Sequence, residues 1–120
     1  MANILAVDDS TSLRQMVSFT LQGEGHQVVQ AQDGVDGLEA AKSQTFDLVI
    51  TDVNMPNMDG ISLIKELRSL PAYRNTPLLM LTTEAGEDKK QEGKQAGATG
   101  WIVKPFNPDK LTSVISRVLG

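Results

Sequence analysis

Short apolar runs alternate with longer stretches of helical periodicity along this chain, and that alternation leaves few folds open. The runs cover residues 4–7, 28–29, 48–50, 78–81 and 101–103. All but the second read as strands buried on both faces, the signature of parallel pairing beneath helices. The second, inside "HQVVQA", is more polar, as an edge strand would be. Between the runs the spacing predicts helices over about 12–22, 35–42, 62–70 and 87–96, and a last one from 108. Leu13, Met16, Val17 and Leu21 share one face of the first; Leu111, Val114, Ile115 and Val118 share one face of the last. Ser10, Thr11 or Ser12 can cap the first helix, and Gly23 or Gly25 can end it. The third stops before Pro71, the polar fourth ends at Gly97, and Pro108 suits a first helical position. Five strands alternating with five helices predict an α/β, doubly wound, five-stranded parallel sheet with right-handed crossovers.

In such a sheet the C-terminal ends of the strands lie on one edge, and ligands sit in the crevice there. That edge carries Asp8 and Asp9 after the first run, Asp52 after the third, Thr82 and Thr83 after the fourth, and Lys104 and Pro105 after the fifth. The second run delivers only Gln32 and Asp33. If it is the outer neighbour of the first, its end lies away from the crevice. Three carboxylates, a hydroxyl and an ammonium therefore converge. Two carboxylates ~5 Å apart repel by roughly 3 kcal/mol at an effective dielectric of ~20, and Lys104 is one positive charge against three negative ones. A hard divalent ion balances the rest, and Mg2+ suits an open site that keeps several waters. The turn-rich tract after Asp52, "VNMPNMDG", can offer the backbone carbonyl of Asn54 as a further ligand. A carboxylate beside Mg2+ and lysine is equipped to attack phosphorus and form aspartyl phosphate. Asp52 is the expected acceptor, with Thr82 placed to sense the phosphoryl group.

Composition removes other classes of function. The 120 residues suit one domain, 1–120, with a real core. A net charge of -4 lacks the basic footprint of a nucleic-acid or acidic-membrane binder. There is no cysteine, so disulfides and thiolate metal sites are excluded and a reducing compartment is suited. The opening "MANILAVDD" does not read as a signal peptide, and no apolar run approaches the ~20 residues of a membrane span. A cytoplasmic protein is the expectation. His26, the single histidine, allows no histidine triad or multi-histidine zinc site within one chain and is expected to face solvent. "GEG" at 23–25 lacks the third glycine of a dinucleotide loop and follows a helix. "DVNMPNMDG" begins like a calcium loop, then fails at Asn57 and Leu63, where that loop needs glycine and a closing acid.

The segments "AVDDS", "LVITDVNMPNMDG", "LLMLTTEAG" and "WIVKPF", in this order and spacing, resemble the receiver domain of two-component response regulators. The resemblance covers essentially the whole chain. It implies the flavodoxin-like strand order 2-1-3-4-5 and transfer of a phosphoryl group from a histidine kinase to Asp52. It further implies Mg2+ held by Asp9, Asp52 and the Asn54 carbonyl, with Asp8 acting through water. Lys104 would pair with the phosphoryl oxygens, Thr82 would bond the phosphoryl group, and Trp101 would be the switch aromatic. Lys104–Pro105 matches the family's cis peptide, and Asn54 and Glu84 match positions that flank the attacking water in dephosphorylation. The stand-alone form resembles the chemotaxis type, whose targets are the flagellar motor switch protein and phosphatases, reached through the face of the fourth helix, fifth strand and fifth helix. With the chain stopping at Gly120, no DNA-binding or enzymatic output is expected, and the protein is expected to be a monomer.

Three other readings stay open. A stand-alone relay or phosphate-sink receiver would use the same site without binding a motor. Lys89, Lys90 and Lys94 on the fourth helix, among Glu87, Asp88 and Glu92, read most simply as a solvated face, with a docking surface for a partner as the functional alternative. A Mg2+-dependent phosphatase with Asp52 as nucleophile would want a second acid where Asn54 stands, and a cap segment over its substrate. A flavin carrier of similar fold would need a phosphate cradle where Asp8 and Asp9 would repel one. Turnover of a phosphomonoester, or a yellow protein, would favour these last two.

Overall fold

The computed structural model describes residues 2–83 and 87–119. Five strands, β1 (Asn3–Val7), β2 (Gln27–Ala31), β3 (Leu48–Asp52), β4 (Leu78–Thr83) and β5 (Gly100–Lys104), alternate with five helices. These are α1 (Thr11–Gly23), α2 (Gly34–Ser43), α3 (Gly60–Arg68), α4 (Glu87–Ala96) and α5 (Pro108–Leu119). A short 3-10 turn, Pro71–Tyr73, follows α3 and has no counterpart in the sequence reading. The strands form one parallel sheet in the order β2-β1-β3-β4-β5, the order that the resemblance implies.

Each face of the sheet has its own core. Leu5, Val7, Val49, Leu78 and Met80 point to the side where Leu63, Ile64 and Leu67 of α3 pack. Ile4, Ala6, Leu48, Ile50, Leu79, Leu81 and Ile102 point to the other, against Val17 and Leu21 of α1 and Leu111 and Ile115 of α5. The central strands thus bury consecutive side chains on opposite faces, which is why they read as unbroken apolar runs. Tyr73, 1% exposed, fastens the first core at one end: its hydroxyl accepts the Phe46 N–H at 3.2 Å and lies 2.8 Å from the Ala41 carbonyl.

Two expectations need correction. The fifth run reads as a strand buried on both faces, but β5 is the second edge of the sheet; of its five residues only Ile102 is fully buried, and Trp101 is 39% exposed. Its apolar residues are partly a surface and not a core. His26 does not simply face solvent: it is half-buried, and its Nδ1 accepts the Ala2 N–H at 3.1 Å, tying down the start of β1.

Candidate functional site

Local rules place the acids. The end of β1 hands over to Asp8 and Asp9, and Ser10 then caps α1 by accepting the Leu13 N–H. Asp8 Oδ1 accepts the Ser10 N–H at 2.8 Å, which fixes that carboxylate at the edge of the sheet. Asp52 is the last residue of β3, and its Oδ1 accepts the Val53 N–H at 2.9 Å. The chain then loops out over 53–59 and returns at Gly60, whose N–H donates to the Val53 carbonyl at 2.8 Å. Only glycine fits there, because a Cβ would overlap the Asp52 carbonyl.

Carboxylate oxygens of Asp8, Asp9 and Asp52 all lie within 4.8 Å of one another. Asp8 is 2% exposed and Asp52 8%, so two of the three charges sit largely out of water. Lys104, at the end of β5, brings its ammonium 2.9 Å from Asp52 Oδ1 and 3.8 Å from Asp8 Oδ2. Even so, Asp8 Oδ2 is buried without a hydrogen bond. Such an atom is costly unless something occupies the space it faces. An oxygen-only donor set with one unsatisfied buried oxygen fits a hard divalent cation. Asp52, Asn54, Thr82, Thr83 and Lys104 line a cavity of about 120 Å³ at this edge of the sheet.

Burial pushes the Asp8 carboxyl above its ordinary value of 3.8; the Ser10 N–H and Lys104 oppose that push, while the Asp52 and Asp9 charges add to it. An acid raised in the fold binds more protons folded than unfolded, so stability falls as the pH rises from 3.8 through the folded value. Without divalent metal, the Asp8→Asn protein is therefore expected to melt a few degrees above the parent at neutral pH. The gap should close as the pH is lowered toward 3.8 and shrink again when Mg2+ is added to both. Melting curves at several pH values check this, and a lower melting point for Asp8→Asn at neutral pH would contradict it.

The structure brings Asp8, Asp9, Asp52, Asn54, Thr82 and Lys104 to one edge of the sheet. Thr82 lies within β4 and not after it; it is 4% exposed, and its hydroxyl donates to the Thr83 carbonyl at a long 3.4 Å. Trp101 is the second residue of β5, in register with Met80 of β4, with the Lys90 ammonium 5.8 Å from its ring centre. Glu84 lies outside the described residues. The Lys104–Pro105 peptide is cis. The end of β2 is not remote from the site, contrary to the expectation: Asp33 Oδ2 accepts the Asn57 amide of the 53–59 loop at 2.7 Å. The sequence reading missed that link. Its one visible trace is an asparagine among loop residues, a residue suited to left-handed backbone.

Comparison with known proteins shows the family and the fold. Residues 4–116 match the family described as "Response regulator receiver domain". The chain is 38% identical to a "Chemotaxis protein CheY homolog" of Campylobacter jejuni, over 98% of this chain and 92% of the relative. It is 40% identical to the "Chemotaxis protein CheY-3" of Vibrio cholerae, over 96% and 89%. Among solved structures, the chemotaxis response regulator CheY4 of Vibrio cholerae superposes with a TM-score of 0.95 at 55% identity, covering 99% of both chains.

Proposed function

The chain belongs to the response regulator receiver family, and from that premise we propose that it is a Mg2+-dependent phosphoacceptor switch in chemotaxis signalling. Asp52 takes the phosphoryl group of a histidine kinase: its carboxylate oxygen forms the O–P bond while the phosphohistidine N–P bond breaks and imidazole leaves with the electron pair. The single observation that carries the reading is the crowding at Asp52. Three carboxylates lie within 4.8 Å of one another, one lysine pairs with only two of them, Asp8 and Asp52, and the buried Asp8 Oδ2 lacks a hydrogen bond.

Asp9, Asp52 and the Asn54 carbonyl would hold the cation, with Asp8 acting through water. Bound Mg2+ would neutralise charge building on the transferring oxygens. Lys104 exchanges its Asp52 contact for a phosphoryl oxygen. The Thr82 hydroxyl gives up its long bond to Thr83 for a shorter, charge-assisted one to the phosphoryl group, drawing the end of β4 inward. Asn54 and Glu84 occupy the sequence positions that the family uses to modulate loss of the phosphoryl group, and on this reading they set how long the signal lasts. Trp101 leaves its exposed position as Thr82 moves.

The output surface is the face of α4, β5 and α5, where Trp101, Val103, Phe106, Asn107 and Lys110 line an open groove. Its partners are a flagellar motor switch protein, a phosphatase, or both; the relatives' names as chemotaxis proteins support this. The protein acts as a monomeric cytoplasmic signalling protein of one receiver domain, 1–120, and not as a conventional enzyme. Among the described residues no helix is long and apolar enough to cross a membrane.

Trp101 is the chain's single tryptophan, so its emission reports on the switch. Beryllofluoride, a mimic of the phosphoryl group, should change that emission only when Mg2+ is present. An unchanged spectrum alongside demonstrated phosphorylation of Asp52 would remove Trp101 from the switch and leave the acceptor role standing. Pull-downs with and without beryllofluoride identify the partner; recovery of no motor component would favour a relay or phosphate sink.

A further inference from the structure

We propose that Asp33 and Asn57 are a positioning pair for the Asp52 site: their hydrogen bond pins the 53–59 loop so that Asn54 is in place before a divalent cation arrives. This rests on the Mg2+ reading above and assigns a role to two residues outside the acid cluster.

Met55 and Met58 pack half-buried against the core, and hydrogen bonds fasten the loop at two points. At its base, Gly60 bonds the Val53 carbonyl and packs flush on the Asp52 carbonyl. At its tip, the Asn57 amide donates to Asp33 at 2.7 Å, and the Gly34 N–H donates to the Met58 carbonyl at 3.1 Å. A Cβ on Gly34 would overlap Met58, so the two loops meet backbone to backbone. Asn54 is exposed and lies between the two hydrogen-bonded fastenings.

Asn57 itself suggests what the tip is for. Its φ of 70° makes it the one non-glycine residue in left-handed backbone among the described residues. Glycine is the least strained choice for such a turn, and asparagine is tolerated there at some cost. What asparagine adds is the amide that reaches Asp33.

Asp33 is equally constrained. It is 7% exposed, and its other oxygen accepts the Asp36 N–H at 2.8 Å to cap α2. Those two bonds, the Asp36 N–H first and the Asn57 amide second, hold its carboxyl below the ordinary range, so it is a charged acceptor at neutral pH. A charge-assisted bond from a fixed helix end to a loop tip removes freedom that cation binding would otherwise have to remove.

A purely structural role, as helix cap and turn former, would show in stability and leave cation affinity alone. Two substitutions separate these cases. Asn57→Gly keeps the left-handed turn, and Asp33→Ser keeps a good cap for α2, yet each deletes the bond between them. Mg2+ titration calorimetry on the full chain is run for the parent, both single variants and the double variant, with melting points measured without metal.

The expected result is about tenfold weaker Mg2+ binding in each single variant, the low end of what losing an outer-layer partner does to a metal site. The double variant should be no weaker than the singles, because they delete one shared bond, and Asn57→Gly should melt within a few degrees of the parent. Parent-like Mg2+ affinity in Asn57→Gly, or additive losses in the double variant, overturns the positioning pair while leaving the Mg2+ site intact. Absence of Mg2+ binding by the parent overturns the reading beneath it. Should Asp33→Ser fail to fold, Asn57→Gly decides alone, since glycine accepts the turn.

Discussion

An Asp52→Asn protein takes up no phosphoryl group from acetyl phosphate in Mg2+, under conditions in which the parent gains one. The substitution preserves shape: an amide oxygen can still accept the Val53 N–H, and the residue stays at the end of β3. What it removes is the nucleophile, since a neutral amide does not attack phosphorus as a carboxylate does. It also removes the anionic partner that holds Lys104 at 2.9 Å. The rate of adduct formation should fall at least ~10³-fold, equivalent to about 4 kcal/mol or more of barrier. Intact-protein mass spectrometry over time reads it directly. An adduct formed at the parental rate, on Asp9 or Thr82 for example, would show that Asp52 is a ligand and not the acceptor.

Gly60→Ala carries the largest expected loss of stability. Alanine is favoured over glycine inside a helix by about 1 kcal/mol, so propensity alone predicts a gain at this first residue of α3. Geometry overrides it. The new Cβ would overlap the Asp52 carbonyl oxygen and lie 2.9 Å from its carbon and 3.1 Å from Val53 Cα. All three are backbone atoms at the end of a buried strand, which cannot swing aside as a side-chain tip can. We expect a cost of about 2–4 kcal/mol, in the upper range for overpacking, or a melting point lower by roughly 10 °C. Gly23→Ala is the matched control: nothing lies within 4 Å of a Cβ there, so its melting point should hardly move. If Gly60→Ala melted as high as the parent, the α3 start could not lie as close to Asp52 as it does here. Because the displaced atoms belong to the acceptor residue, Mg2+ affinity should fall together with stability.

Periodicity carried much of this architecture. Residues 4–7, 48–50 and 78–81 read as covered strands because side chains on both faces of β1, β3 and β4 really are buried. The helix beginning at Pro108 was legible because Leu111 and Ile115 lie four residues apart and share one core. The site acids were legible for a topological reason: once strands run parallel, residues just after them must share an edge. Trp101 was harder. An apolar run looks alike at a sheet's centre and at its edge, and only the pairing order makes β5 an edge.

The sequence by itself determined the alternation of strands and helices, the shared edge of Asp8, Asp9, Asp52, Thr82 and Lys104, and the turn-rich character of 53–59. These follow from local rules of spacing and chain direction, which act within one element and its neighbours. Tertiary structure alone decided how close the carboxylates come, that Asp8 Oδ2 is buried without a hydrogen bond, and that Gly60 must lie on the Asp52 carbonyl. It alone brought Asp33 to Asn57, 24 residues away. Contacts between distant residues depend on how whole layers pack, to tenths of an ångström, and no short window of sequence encodes that distance.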